Sequence, residues 1–232
     1  MPEGCDRFRM LTIRNVTFDA CLIQGPLAGY SCAPFRALVS QYGHCAFCYT
    51  EMISAKHIAR ASRTRRRYLF KHPKEGTLCY QISGNDPQDI RQTVKIVEQA
   101  GADLIDLNCG CPMQKIRKKG CGSALLTQPE TLARCVQAMR ASTDLPISIK
   151  IRVSGEAADQ SHLQALAVAQ QEGIDFITVH GRHWTEGYDV ACRYDQISEV
   201  VQRATIPVIG NGDVADLTSL RNMQLQTQCH GV

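Results

Sequence analysis

The sequence predicts an α/β chain folded as a (β/α)8 TIM-barrel, incomplete at its C-terminus. Three observations carry this expectation. Short apolar or β-branched runs recur every few tens of residues, each followed by an amphipathic segment, which marks parallel βα units. About seven such units follow one another, which points to a closed barrel of eight rather than an open sheet. The chain then ends at His230-Gly231-Val232, which reads as the opening of an eighth strand.

Taken in order, the polar, alternating segment 11–19 suits a short hairpin closing the barrel floor. Strands are expected near 21–27, 45–49, 78–82, 104–108, 147–151, 176–180 and 207–210. Helices are expected near 34–42, 87–100, 129–141, 162–172, 194–203 and 217–225. Asn85-Asp86-Pro87 and Thr127-Gln128-Pro129-Glu130 each offer a cap followed by proline in the first helical turn. Ala100-Gly101 and Glu172-Gly173 place glycine where a left-handed helix end belongs. Residues 1–20 are read as an N-terminal segment with the floor hairpin, and 21–232 as the barrel. A barrel lacking its last strand would leave two unpaired edges.

The chain has 232 residues, 44% hydrophobic and 21% charged, enough for one domain with a substantial core. No apolar stretch approaches a bilayer span, and residues 1–10 lack the apolar centre of a signal peptide, so a cytoplasmic protein is expected. Twelve cysteines spread along a chain rich in Ile, Leu and Val suggest reduced thiols rather than a disulfide scaffold. The net charge of +4 is unevenly placed. Lys56, Arg60, Arg63, Arg65, Arg66, Arg67, Lys71 and Lys74 form a run without an acid, and Lys115, Arg117, Lys118 and Lys119 form a second. A solvated loop would explain either, but the second adjoins a candidate reactive thiol, which favours an anionic polymer as partner.

That thiol lies in Asn108-Cys109-Gly110-Cys111-Pro112, directly after the apolar run Ala102–Leu107. The motif therefore occupies the C-terminal tip of a strand, the end of a barrel that carries chemistry. Gly110 lets the chain turn, and Pro112 ends the ladder. A free cysteine is also a common packing residue, so the other tips matter. They carry Gly25-Pro26-Leu27-Ala28, then Gln81, then Lys150 and Arg152 on one face, His180 with Arg182, and Asn211-Gly212-Asp213. Each has a dull explanation by itself; together they would ring one flat ligand. Cys45 and Cys48, three apart on one strand, would point to opposite faces, and no four-ligand set completes a metal site, so none is expected.

This combination resembles the tRNA-dihydrouridine synthase family, FMN-dependent barrels that reduce uridine in tRNA. The resemblance runs from about residue 11 to the end. Its most specific element is Asn108-Cys109-Gly110-Cys111-Pro112 followed by Gly120-Cys121-Gly122-Ser123-Ala124-Leu125-Leu126. By resemblance, Pro26, Leu27 and Ala28 would line the flavin and Gln81 would bond its pyrimidine edge. Lys150 would stabilise negative charge near N1 and O2, with His180 close by. Asn211, Gly212 and Asp213 would hold the phosphate end, and Asn108, Arg152 and Arg182 would contact the uracil or its nucleotide. Cys111 would be the proton donor, since an ordinary thiol, with a pKa of ~8.5, is already protonated at neutral pH. NADPH or NADH would supply electrons, and the basic surfaces would hold tRNA. Family members continue through the eighth strand into a C-terminal helical domain, neither of which is expected here. Two other readings stay open: an FMN-dependent oxidoreductase of a small pyrimidine, of dihydropyrimidine or dihydroorotate type, and a non-catalytic RNA-binding remnant.

Overall fold

The computed structural model describes residues 10–60, 65–156 and 158–232. The expected hairpin forms from β1 (Leu11–Ile13) and β2 (Val16–Phe18), paired antiparallel across a turn in which Arg14 takes φ 53°. Its buried Leu11, Ile13 and Phe18 pack against Phe47, Leu104 and Phe176, so the hairpin plugs the floor as its alternation predicts.

The barrel wall then follows. β3 (Ile23–Gln24) leads to α1 (Ala33–Tyr42), and β4 (Phe47–Tyr49) to a short β5 (Ile53–Ser54) with α2 (Ala55–Ala59) and α3 (Arg65–Leu69). β6 (Leu78–Ser83) precedes α4 (Pro87–Gln99), and β7 (Leu104–Cys109) precedes α5 (Gln114–Arg117), a 3₁₀ segment (Gly122–Thr127) and α6 (Pro129–Arg140). The last units are β8 (Ile147–Arg152) with α7 (Ser161–Gln171), β9 (Phe176–His180) with α8 (Tyr194–Arg203), and β10 (Val208–Asn211) with α9 (Leu217–Thr227). The strands are all parallel, in the order β10-β9-β8-β7-β6-β4-β3, and β5 extends the partner edge of β6 above β4. The cap signals act as read. Asp86 accepts from Gln88 N and Asp89 N, and Gly101 and Gly173 both take φ 89° at helix ends.

Strand periodicity sorts side chains into two environments. Leu78, Tyr80, Ile82, Ile105, Leu107, Ile147, Ile149 and Ile151 turn outward into one apolar layer beneath the helices. The inward set is apolar low down and polar higher up. Phe47, Leu104, Phe176 and Ile209 join the hairpin cluster. Register then aligns Gln81 with Asp106 and Ser148, Asn108 with Lys150 and Thr178, and Arg152 with His180 and Asn211.

The two edges expected to be bare are partly joined. His230 N donates to Val208 O (2.8 Å) and Gly210 N to Gly231 O (2.9 Å) on one side. On the other, Ile23 N donates to Val232 O and Val232 N to Cys21 O, both 2.8 Å. Three residues at the eighth-strand position thus bridge β3 and β10 near the floor. Gly231 is needed there, because a Cβ would lie 2.9 Å from Ile23 Cδ1 and 3.0 Å from Cys21 O.

Candidate active site

The polar upper interior gathers at the C-terminal strand ends, where βα loops converge. Its deepest member is Asp106, fully buried in the middle of β7. It accepts from Ser148 Oγ (2.6 Å) and Gln81 Nε2 (2.9 Å), while burial pushes its carboxyl up to about 7. Gln81 Oε1 accepts from Asn108 Nδ2 (2.9 Å), and Asn108 Oδ1 accepts from Cys111 N (2.9 Å) and more weakly from Gly110 N (3.3 Å). Asn108 therefore holds the first turn after β7, the turn that carries Cys111.

A second clamp holds that turn from outside. Cys111 O accepts from Ser123 N (3.1 Å) and Ser123 Oγ (3.0 Å), and Arg117 Nη1 donates to Ser123 Oγ (2.8 Å). Gly122 takes φ 64°, and a Cβ there would lie 2.7 Å from Cys111 O. Asn85 Nδ2 donates to Lys119 O, tying the β6 loop to the same segment. These contacts give physical reasons for the Gly-x-Gly-Ser spacing. Cys111 itself is half-buried, with its loop fixed on both sides.

Across the mouth, Lys150 Nζ donates to Asn211 Oδ1 (2.7 Å), and burial lowers its ammonium to about 8 despite the nearby Asp106. Gly25 lies beside Asn211, whose Nδ2 would meet a Cβ there at an ordinary contact distance of 3.9 Å. Gly212 takes φ 118°, and a Cβ would overlap Cys192 Sγ and come within 2.8 Å of the His180 ring. His180 is buried beside Lys150, Arg152 and Arg182, and desolvation with these cations depresses it to about 2. Arg182 Nη1 can only donate, so His180 Nε2 (3.3 Å) accepts and the ring proton resides on Nδ1.

Arg152 and Arg182 are less free than their assignment to substrate implies. Arg182 is 2% exposed; Nε donates to Val190 O, and Nη2 to Tyr188 O (3.2 Å) and Asp213 Oδ1 (2.5 Å). Arg152 Nη1 donates to His183 O (2.9 Å). Both shape the loop 183–190 over the mouth. Asp213, at φ 58°, also accepts from Cys192 N, so its carboxylate fixes loops on two strands. Pro26 is half-buried, and Leu27 and Ala28 are exposed on the β3 loop. Buried Glu51 ties that loop down by accepting from Gly29 N (2.8 Å).

The basic runs do not form one surface. Lys71 bonds Asp103 (2.6 Å) and Gly101 O just before β7, on the floor side, whereas Arg67 lies 3.8 Å from Glu51 at the mouth. Arg63 and the Arg65 side chain lie outside the described residues. In the second run, Arg117 stacks on Trp184 at 3.5 Å, and Lys115, Lys118 and Lys119 are exposed.

One expectation is corrected. Cys45 precedes β4 rather than belonging to it, so strand alternation does not separate it from Cys48. The neighbouring Cys48 thiol lowers Cys45 to about 7, and Cys45 with burial raises Cys48. Among the described residues, no three His, Cys, Asp or Glu side chains converge as metal ligands. Sequence reading also missed Asp106 and Ser148. The available signal was a carboxylate inside an apolar run, which burial tolerates only with partners.

The fold and site define a parallel (β/α) barrel that carries Cys111, Lys150, His180 and the carboxamides of Gln81, Asn108 and Asn211 at the C-terminal ends of its strands. The old yellow enzyme homologue from Zymomonas mobilis has a similar fold, with TM-score 0.72 over 97% of this chain and 87% of that one, at 11% identity. Residues 23–232 match the family model for dihydrouridine synthase (Dus). The probable tRNA-dihydrouridine synthase 1 of Synechocystis sp. is 33% identical over 222 residues, covering 96% of this chain and 62% of the relative. The tRNA-dihydrouridine synthase B of Proteus vulgaris is 35% identical over 198 residues, covering 84% of this chain and 60% of the relative. The chain belongs to the dihydrouridine synthase family, and it spans about six tenths of the length of these relatives.

Proposed function

We propose that residues 21–232 form the catalytic barrel of a tRNA-dihydrouridine synthase, which reduces the C5=C6 bond of uridine in tRNA with FMN as cofactor and NADPH or NADH as electron source. The observation that carries the reading is Cys111, held on a doubly clamped loop at the same mouth as Lys150, His180 and Asn211. The names of the relatives support the substrate. We place the protein in the cytoplasm with its tRNA; no described helix is long and apolar enough to cross a membrane.

The residues present fit FMN in their donor chemistry: Gln81 and Asn108 each keep a second amide hydrogen beyond their internal bonds, and Lys150 supplies an ammonium at the same end of the strands. When bound, FMN supplies the hydride that reaches uracil C6. Pro26, Leu27 and Ala28 would line its ring, Gln81 would read its pyrimidine edge, and Lys150 would balance charge there with His180 close by. Asn211, Gly212 and Asp213 would hold the phosphate end. Cys111 holds on its sulfur the proton delivered to C5, and Asn108 orients the uracil beside it. Arg152 and Arg182 act on the nucleotide by shaping the loop above it. Exposed Lys115, Lys118 and Lys119 hold the RNA backbone while the base leaves its stack.

The test is uridine reduction in dihydrouridine-free tRNA by the purified chain with FMN and NADPH, read by mass spectrometry of nucleosides. Dihydrouridine formed by the wild type and absent with Cys111→Ala supports the reading. Oxidation of dihydroorotate or reduction of free pyrimidines, with tRNA untouched, would replace it by a small-pyrimidine oxidoreductase.

A further inference from the structure

We infer that Asp106 is a positioning residue: through Gln81 and Asn108 it fixes the amide polarity of the mouth and the seat of the Cys111 loop. The inference concerns this chain's own residues and deepens the proposed function.

The direction of every bond in the relay follows from its two ends. At the bottom, Asp106 Oδ2 faces Gln81 at 2.9 Å and Oδ1 faces Ser148 Oγ at 2.6 Å. A carboxylate only accepts, so Gln81 must turn its NH₂ downward and its carbonyl oxygen toward Asn108. At the top, Cys111 N–H only donates, so Asn108 must turn its oxygen toward the loop and its NH₂ toward Gln81. Each end pins the amide beside it, Asp106 holding Gln81 and the Cys111 N–H holding Asn108, and the two settings agree. If Asp106 takes up a proton on Oδ1, that oxygen donates to Ser148 Oγ while Oδ2 still accepts from Gln81, so the polarity survives. Parallel register makes the relay possible, because Asp106 lies beside Gln81 on β6 and two residues below Asn108 on the same inward face of β7. With the amides locked, the hydrogens left over on Gln81 and Asn108 face the mouth in a fixed pattern of donors. Without Asp106, Gln81 loses its lower anchor and is held only through Asn108, so the amide pair that seats Cys111 N is loosened.

The test reads Cys111 in the ligand-free 232-residue chain. Its alkylation by iodoacetamide is followed by peptide mass spectrometry, with circular dichroism confirming the fold. Asp106→Leu keeps the shape and removes the acceptor; loss of one bond of ordinary strength should raise the Cys111 rate about five-fold. Asp106→Asn, which can still accept from Gln81 and donate to Ser148, should restore the wild-type rate. Gln81→Leu should reproduce the rise, and Asp106→Leu added to it should have no further effect. A rate unchanged in Asp106→Leu, or raised equally in the presence and absence of Gln81, would overturn the inference. If Asp106→Leu does not fold, Gln81→Leu alone decides, since a wild-type Cys111 rate there breaks the relay. FMN titration of the same proteins separates this inference from the functional one. A wild type that ignores FMN but shows the Cys111 pattern defeats only the proposed cofactor. One that binds FMN and reduces uridine without the pattern defeats only the relay.

Discussion

Replacing Gly122 by alanine asks whether close backbone packing seats the Cys111 loop. At φ 64° an L-residue is strained, costing about 1–2 kcal/mol relative to glycine. The new Cβ would also lie 2.7 Å from Cys111 O and 3.1 Å from Cys111 Cβ, so that carbonyl must move. It is held by Ser123 N and Ser123 Oγ, and weakening these two bonds costs roughly 1–2 kcal/mol more. Alanine recovers about 0.4–1 kcal/mol by restricting the unfolded chain. The balance is a destabilisation of about 1–3.6 kcal/mol, which for a chain of this size lowers Tm by roughly 2–14 °C. Urea unfolding and thermal melts measure the loss, and iodoacetamide labelling of Cys111 reports the loop. A variant within about 0.5 kcal/mol of wild type, the range of an ordinary surface change, with unchanged Cys111 labelling would refute the packing argument.

Cys111→Ala should abolish uridine reduction while leaving tRNA affinity within about two-fold, since loss of one half-buried thiol leaves phosphate contacts intact; weaker tRNA binding in a filter assay would contradict the assigned role. His180→Gln should flatten the acid side of the stability profile. The folded His180 is depressed to about 2, so below the unfolded value near 6.5 the unfolded chain takes up a proton that the folded chain does not, and stability falls as pH falls. The wild type should therefore lose about 1.4 kcal/mol relative to the variant for each unit below pH 6; an equal gap at pH 6 and pH 5 would count against it. Cys45, lowered to about 7 by Cys48, should react with iodoacetamide at neutral pH faster than half-buried Cys121, whose thiol burial raises. Comparable rates for the two peptides would dismiss the thiol pair.

Sequence legibility followed periodicity. The β9 segment at 176–180 was read to the residue, and β6, β7 and β8 each run one residue further than expected. Their buried β-branched runs have no competing pattern. The first strand shrank from 21–27 to Ile23–Gln24, because Gly25 and Pro26 leave the ladder early. β5, α2, α3 and α5 were not foreseen; elements of two to five residues contain too little repeat to register. Site residues at strand ends were legible because tip position and residue type coincide. The Glu51 and Asp106 tethers were not, because a bond from one strand to the next depends on register, which a single strand's pattern does not reveal.

The bridge made by His230, Gly231 and Val232 has a mechanical consequence. It fastens the hoop low on the wall, so the girth of the floor is fixed by main-chain bonds. Higher up, Asn211 Oδ1 accepts from Lys150 Nζ, and Gln24 Oε1 is buried without a hydrogen-bond partner among the described residues. Loosening the main-chain bonds of the bridge should therefore be felt first at the floor, where β3 and β10 meet.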